Sequence, residues 1–536
     1  MPIDDGCRIG FVALACAALV ACGSSKEGTP ISAGMADAAA KRTSDAGKTG
    51  GGEAGETHDA TAVRDAKSID GSASTSDATG DVSAVSDAEA GSSVEATSDA
   101  EAESSADAAR PLDAATDARA KDAAGAADAR GDGSTGSPPP PDGGPSSLAT
   151  GDTRTVTQPT YPPVCATLSA QFSATQRSSP PTSDDTGRIQ AALDTCKATG
   201  QSVVLAVSGA LDAFYAGTLT VDGETLVVDS GVTLFGNGNY TGELLAISGA
   251  DAALMGPGTI DGRGDLISGT PRLIQANKIT NFIVYNLTIE HPGKEHLYVE
   301  GGNGFTAWNL TIATPANTKN TDGIDIDSMT NVTVHGSSIE DGDDGVAIKT
   351  NSAGASNITI ENNTFHGTHG MSIGSQTFDG VVNVLWKGNT VYGSDQWGNE
   401  STNNNGINIK TDVECGGTVR QVTYVDTCMT GVKHLLVFNT SYGSCTGTAG
   451  TPYFTDIVID GVYSTSSALS AYSEFEGYSA AFPLGLTLEN VDLDVTTQQG
   501  SQYAAVGLYN SNVTPAGNGV TTRSILGGGS VPTCSF

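Results

Sequence analysis

Asp322, Asp344, His369 and Asn405 each stand one residue before a glycine that opens a short apolar strand: Gly323-Ile324-Asp325-Ile326, Gly345-Val346-Ala347-Ile348, Gly370-Met371-Ser372-Ile373 and Gly406-Ile407-Asn408-Ile409. Asp343 lies beside Asp344, and Lys410 closes the last strand. Neighbouring strands lie about 4.8 Å apart, so polar groups at one register of a repeating strand form a stack. Asp322 and Asp344 are therefore predicted to face each other, with Asp343 leaving the same turn in another direction and His369 one coil further on. Crowded carboxylates cannot all ionise: one pKa rises while another stays low, and residues of one type can then serve as proton donor and base. Paired carboxyls of that kind are the requirement of glycoside hydrolysis. A single aspartate here would be explained by the preference of Asp, Asn and Gly for turns. Three carboxylates, a histidine and a lysine converging on one face are better explained by chemistry. His296, ahead of Leu297-Tyr298-Val299, is expected to be structural or a rim contact.

The elements that must hold these groups carry a second repeat: Asn281-Phe282-Ile283-Val284, Asn303-Gly304-Phe305-Thr306, Asn331-Val332-Thr333-Val334, Asn357-Ile358-Thr359-Ile360 and Asn383-Val384-Leu385-Trp386. Short β-rich segments recurring every twenty-odd residues, cut by Gly, Asn or Asp, predict a solenoid in which each coil hides its apolar face against the next. Strand period two puts Ile324 and Ile326 inside, with Asp325 and Asp327 outside. The expected fold is all-β, a right-handed parallel β-helix. One helix is predicted, over Asp185 to Thr199, with Ile189, Leu193 and Cys196 on one face. It is expected to cap the N-terminal end, where bare strand edges and core would otherwise be exposed.

The 536 residues divide by composition into three parts. Residues 1–22 read as a lipoprotein signal: an apolar run too short to span a membrane ends in Leu19-Val20-Ala21-Cys22, and Gly23-Ser24-Ser25 follows, so Cys22 is the expected lipidation site. The residue after Cys22 is not aspartate, which points to outer-membrane sorting in a Gram-negative host. Residues 23–150 repeat Ser-Asp-Ala, hold 23 acidic and 10 basic residues, and end in Pro138 to Pro141. Such a segment cannot bury a core, and it is predicted to be a disordered, solvated tether. Residues 151–536 form the predicted β-helix domain. Its 36 acidic and 15 basic residues leave a net charge of −21, which argues against a nucleic-acid partner. A monomer is expected, extracytoplasmic, and touching membrane only through its lipid.

Six cysteines remain in the domain: Cys165, Cys196, Cys415, Cys428, Cys445 and Cys534. None is spaced as a zinc site, so disulfides are expected, and no metal or cofactor. Proximity favours Cys165 with Cys196 and Cys415 with Cys428, leaving Cys445 with Cys534.

Asn320-Thr321-Asp322, Gly342-Asp343-Asp344, His369-Gly370 and Ile409-Lys410 resemble, in order and spacing, the polygalacturonases of glycoside hydrolase family 28. Gly256-Pro257-Gly258-Thr259-Ile260-Asp261-Gly262, Thr270-Pro271-Arg272-Leu273-Ile274-Gln275 and Gly304-Phe305-Thr306-Ala307-Trp308 are similar to its bacterial secreted branch. The resemblance implies inverting, metal-independent hydrolysis of α-1,4-galacturonosyl bonds in pectin. It implies Asp343 as general acid, Asp322 and Asp344 as the pair that holds and deprotonates the attacking water, and His369 as the group keeping the acid protonated. Lys410 would bind a galacturonate carboxylate, and Tyr442 would line the same subsite or its rim, with Asn320 and Asn408 near the substrate. Inversion sets acid and base carboxyls about 6.5–9.5 Å apart.

Two positions depart from the family pattern. Asn408 stands where an arginine is usual, and Thr368 where a glycine precedes the histidine. Asparagine has neither the charge nor the two-pronged grip of arginine, so substituted or esterified pectin and rhamnogalacturonan enter as substrates. Lys294, Lys319 and Lys349 could supply positive charge, though surface lysines more often serve solubility. Two other classes use such a solenoid. A calcium-dependent lyase would need the metal and has no use for His369 as a ligand; a carbohydrate-binding surface protein has no need to keep three aspartates and a histidine together.

Overall fold

The computed structural model describes residues 148–536 except 198, 241, 444, 446, 448 and 449. The signal, Cys22 and residues 23–147 of the expected tether lie outside the described residues.

The chain winds as a parallel β-helix, and among the described residues every strand-to-strand ladder is parallel. Three ladders run its length. One begins with Val164–Ser169 and Ser202–Ala206 and reaches Thr521–Ser524. A second begins with Ala213–Ala216 and Thr233–Gly236 and continues past Thr390–Tyr392. The third runs from Leu219–Asp222 through Ile324–His335, Val346–Thr350, Met371–Thr377 and Asn405–Lys410 to Tyr472–Phe475. This third sheet carries the glycine-led strands. Its inward residues Ile324, Ile326, Val346, Ile348, Met371, Ile373, Ile407 and Ile409 are all fully buried in one continuous core. Each such side chain contributes about 1.5–3 kcal/mol by leaving water.

The asparagine repeat marks the corner between the third sheet and the first. Phe282, Phe305, Val332, Ile358 and Val384 are in register, so the corner column is Asn281, Gly304, Asn331, Asn357 and Asn383. All five have positive φ, between 55° and 89°, where glycine and asparagine are strained least. Asn303, the expected member of the column, is one residue early. Its side chain instead accepts from Asn331 Nδ2 at 2.8 Å, as Asn357 accepts from Asn383.

The helix spans Thr186–Cys196, three residues shorter than expected at its C-terminal end because the backbone becomes extended at Lys197. Ile189, Leu193 and Cys196 face the core as predicted. The helix packs on the first coils, and Cys165–Cys196 pins it there. The other two expected disulfides are corrected: Cys415 pairs with Cys445 and Cys428 with Cys534. The strand Thr418–Thr430 carries Cys428 around a corner to the second sheet, opposite Thr390, whereas Cys415 stays in the turn before that strand. Nearness in sequence is a poor guide where an extended strand covers about 3.3 Å per residue. The Cys428–Cys534 bridge closes a 106-residue span. Replacing both cysteines with alanine should cost about 2–4 kcal/mol, read as a lower denaturant midpoint with the fold retained.

Both ends of the described chain lie lengthwise on the solenoid. At the N-terminal end, Ala149 N donates to Thr423 Oγ1, Thr150 N to Asn383 Oδ1, Asp152 N to Thr359 Oγ1 and Thr153 Oγ1 to Asn331 Oδ1. Arg154 donates to the Phe305 carbonyl and Gln158 to the Tyr285 hydroxyl. The expected tether boundary at residue 150 thus falls inside a strap that crosses successive coils. At the other end, the Gly528 carbonyl accepts from Asn490, Cys534 reaches Cys428, and Phe536 meets the Tyr392 ring edge-on.

Candidate active site

The candidate residues sit where loops from the second sheet enter the third. Asp322, Asp344 and His369 each precede by two residues the mutually paired Ile324, Val346 and Met371, and Asn405 pairs with His434 next in line. Gly323 N donates to the Asp344 carbonyl at 3.0 Å, so the two aspartates occupy adjacent coils, as the spacing predicts. Asp343 leaves the same turn. Its amide donates to Asp341 Oδ1 at 2.9 Å, and its carbonyl accepts from His369 N at 2.6 Å. Gly342 makes this turn possible: a Cβ there would lie 1.8 Å from the Thr318 carbonyl oxygen. Gly342→Ala should therefore displace Asp343 and lower kcat by about 10²-fold, with the circular dichroism spectrum unchanged.

Two amino groups from the chain itself neutralise the carboxylates. Lys410 Nζ lies 3.0 Å from both oxygens of Asp344, which also accepts from Ser372 Oγ at 2.6 Å. Lys349 Nζ lies 3.1 Å from Asp322 Oδ2 and 2.7 Å from Asp325 Oδ2. Lys349, expected among surface lysines, is in fact mostly buried between two carboxylates. Asp325 and Asp327 do point away from the core, yet both are fully covered. Tyr298 and Asn351 donate to Asp327, while Lys349 covers Asp325.

These contacts separate the carboxyl groups. Burial pushes Asp322 above the ordinary carboxylate value, and Asp343 and Asp344 add to this against the pull of Lys349. Burial pushes Asp325 well up, helped by Asp322. Burial would raise Asp343 as well, but His369, Lys410 and Lys349 outweigh it and hold Asp343 down. Lys349 is held up by the same neighbours despite its burial. One ammonium faces two buried carboxylates, and the Asp325 Oδ1 has no partner. Asp341, fully buried, is likewise pushed well up by burial. His369 Nδ1 lies 2.8 Å from Asp343 Oδ1, at ion-pair distance but without the alignment of a hydrogen bond.

The remaining expected residues are placed as follows. Tyr442 is about one-third exposed, with Lys410 Nζ 5.0 Å from its ring centre. Asn408 is buried and donates to Ser372 Oγ at 3.2 Å, so its amide is turned toward Asp344's partner. Asn320 is exposed on the turn before Asp322, with φ of 58°. Thr368 Oγ1 accepts from Gly370 N at 2.8 Å. His296 is buried and bonded to Thr314 Oγ1 and the Asp322 carbonyl, and burial lowers it to about 4; it is a neutral structural residue. Asp325, Asp341 and Ser372 are the members that sequence reasoning did not assign to the site, and Lys349, named as one source of positive charge, was not placed between Asp322 and Asp325. Lys349 was within reach, because it follows Ile348 and must point outward beside Asp327.

Comparison with known proteins points to one family. A profile described as glycosyl hydrolases family 28 matches residues 207–512. The chain is 34% identical over 386 residues to an endo-polygalacturonase of Pectobacterium parmentieri, covering 64% of this chain and 90% of that protein. It is 33% identical over 441 residues to a polygalacturonase of Ralstonia solanacearum, covering 65% and 82%. Among solved structures, the polygalacturonase from Erwinia carotovora ssp. carotovora superposes with a TM-score of 0.57 at 32% identity, covering 68% of this chain and all of that one.

Proposed function

The chain belongs to family 28 of the glycosyl hydrolases, as a polygalacturonase-like hydrolase of pectin, and from that premise we propose how its residues divide the work. The observation that carries the reading is geometric: Asp322, Asp343 and Asp344 stand on adjacent coils, with His369 Nδ1 2.8 Å from Asp343 and with Lys349 and Lys410 on the other two. Asp343, the most open of the three expected carboxylates, faces the glycosidic oxygen. His369 Nδ1, 2.8 Å from Asp343 Oδ1, stands beside it, and Asp343 gives its carboxyl proton to the leaving oxygen as the C–O bond breaks. Asp322 and Asp344, fixed by Lys349 and Lys410, hold a water on the opposite face of the sugar. Its oxygen forms the new bond to the anomeric carbon, and its proton passes to the Asp322 carboxylate. The product is inverted.

Asp343, Asp344 and His369 have ligand atoms within 4.8 Å of one another, which raises the lyase-like alternative of a bound cation. Against it, Asp344 already gives both oxygens to Lys410. The decisive experiment is reducing-sugar release from polygalacturonate and methyl-esterified pectin in excess EDTA, for the wild type and Asp343→Asn. Release by the wild type, lost in the variant, is the expected result. Unsaturated products that need calcium would replace hydrolysis with elimination. The disulfides fit an extracellular enzyme. We further propose lipidation at Cys22, a tether ending before the strap, over residues 23–147, and a monomeric state, which lipid labelling of Cys22→Ser and light scattering would test.

A further inference from the structure

The third sheet does not end at the carboxylates. Beyond Lys410 a cavity of about 180 Å³ opens over Asn408, Val437, Asn439, Tyr472 and Glu474, and next to it one of about 450 Å³ is lined in part by Asp412, Glu414, Glu476 and Tyr478. Both continue the line of coils on which the scissile bond is placed, since Ser372, Asn408, Val437 and Glu474 are successive partners in one ladder. The charge of this stretch is one-sided. Four carboxylic acids line the two cavities, and among their described lining residues Lys410 is the one lysine or arginine. Lys410 is committed to both oxygens of Asp344. His434, which also lines the smaller cavity, is lowered by burial and by Lys433, and its Nδ1 is engaged with Asn405. Lys433 itself pairs with Glu400.

The opposite end of the cleft has the reverse balance. Glu295 is shared by Arg272 and Lys294, at 3.0 and 3.1 Å, so two cations face one carboxylate there. The Arg272 guanidinium also lies over the Tyr298 ring.

We propose, on the hydrolase reading above, that the sugar bound beyond Lys410 is an uncharged, methyl-esterified galacturonate, so that this enzyme cuts partly esterified pectin in preference to fully de-esterified polygalacturonate. A free carboxylate entering this cavity would meet Glu474 and Glu476 with no uncommitted cation to offset them. An ester meets what the cavity does offer: the amides of Asn408 and Asn439 as neutral donors to its carbonyl, and the Val437 side chain and Tyr472 ring as apolar surface for its methyl group. Burial, with Glu476 beside it, pushes Glu474 up to about 7, so its repulsion of a free carboxylate is complete only above neutral pH. Asn439 Nδ2 is held to Glu474 only by two long contacts, at 3.3 and 3.4 Å. Asn408 is central, because an arginine at this position would bring back the missing charge.

The test uses the full chain and a series made from one pectin by stepwise de-esterification, with chain length held constant. The expected result is a kcat/KM at least threefold higher on half-esterified than on fully de-esterified material. Mass spectrometry should find methyl esters concentrated at one of the two new chain ends. Asn408→Arg should move the preference toward polygalacturonate by about tenfold, and the wild-type comparison stands by itself if that variant does not fold. Faster cleavage of polygalacturonate than of every esterified member, with esters absent from both new ends, overturns the inference and leaves the hydrolase reading intact. No cleavage of any member overturns both.

Discussion

Asp343→Asn should lower kcat on the preferred pectin by about 10³-fold, equivalent to about 4 kcal/mol of transition-state stabilisation, with KM changed little. Asparagine keeps the shape of the turn, and its backbone bonds to Asp341 and His369 are unaffected. What is lost is the carboxyl that exchanges a proton with His369 and the leaving oxygen. Asp343 must be protonated to act and is held low, so the alkaline limb of the wild-type pH profile should lie at lower pH than a general acid with a raised pKa would give. The acidic limb belongs to Asp322, which must be ionised to take a proton from water and whose pKa is raised; activity should therefore be lost at a higher pH than an ordinary aspartate would give. A variant that retains a tenth or more of the wild-type kcat would remove Asp343 from the role of acid. Stability offers a separate check. Asp343 is held below its unfolded value, so its contribution is present above the unfolded pKa and is lost as pH falls through the folded one. The variant should be slightly less stable than wild type at pH 7 and equal to it in strong acid.

Lys349→Met should have the largest effect on stability, about 3–5 kcal/mol. Methionine fills the space of the side chain but leaves Asp322 and Asp325 buried without their cation. Both then stay protonated to higher pH, and the folded form binds more protons than the unfolded chain above the normal aspartate pKa. Stability must then fall as pH rises. The Tm of the variant should be closest to wild type near pH 4 and drop steeply toward pH 7, and the acidic limb of its activity profile should shift upward by about one to two pH units. Wild-type Tm and an unshifted limb would mean that Lys349 is a bystander.

How much of this was legible depends on whether a feature repeats. The glycine-led strands and the corner asparagines recur, so the solenoid, its inward isoleucines and the adjacency of Asp322 and Asp344 followed from spacing. Asn303 misled because it lies one residue off a column in which glycine takes the place of asparagine, and both tolerate the same backbone. The cysteine pairs were not legible beyond Cys165 and Cys196, because a chain winding three-sided coils brings together residues remote in sequence. The roles of Lys349, Asp325 and Asp341 depend on burial, which the strand pattern cannot give for the outward face: it says which way a side chain points, not what covers it.

The strap over residues 149–158 bears on the order of synthesis. These residues leave the ribosome before any coil exists, yet their partners include Thr359, Asn383 and Thr423. A solenoid can stack as it emerges, each turn resting on the one before. The strap cannot: its first residues, Ala149 to Asp152, must wait, exposed, until more than 200 further residues have folded, as the separation of 274 between Ala149 and Thr423 makes plain. Cys428 must likewise wait for Cys534, 106 residues later. The first and last segments of the domain are thus both latecomers, and the finished molecule is sealed from its two ends toward its middle.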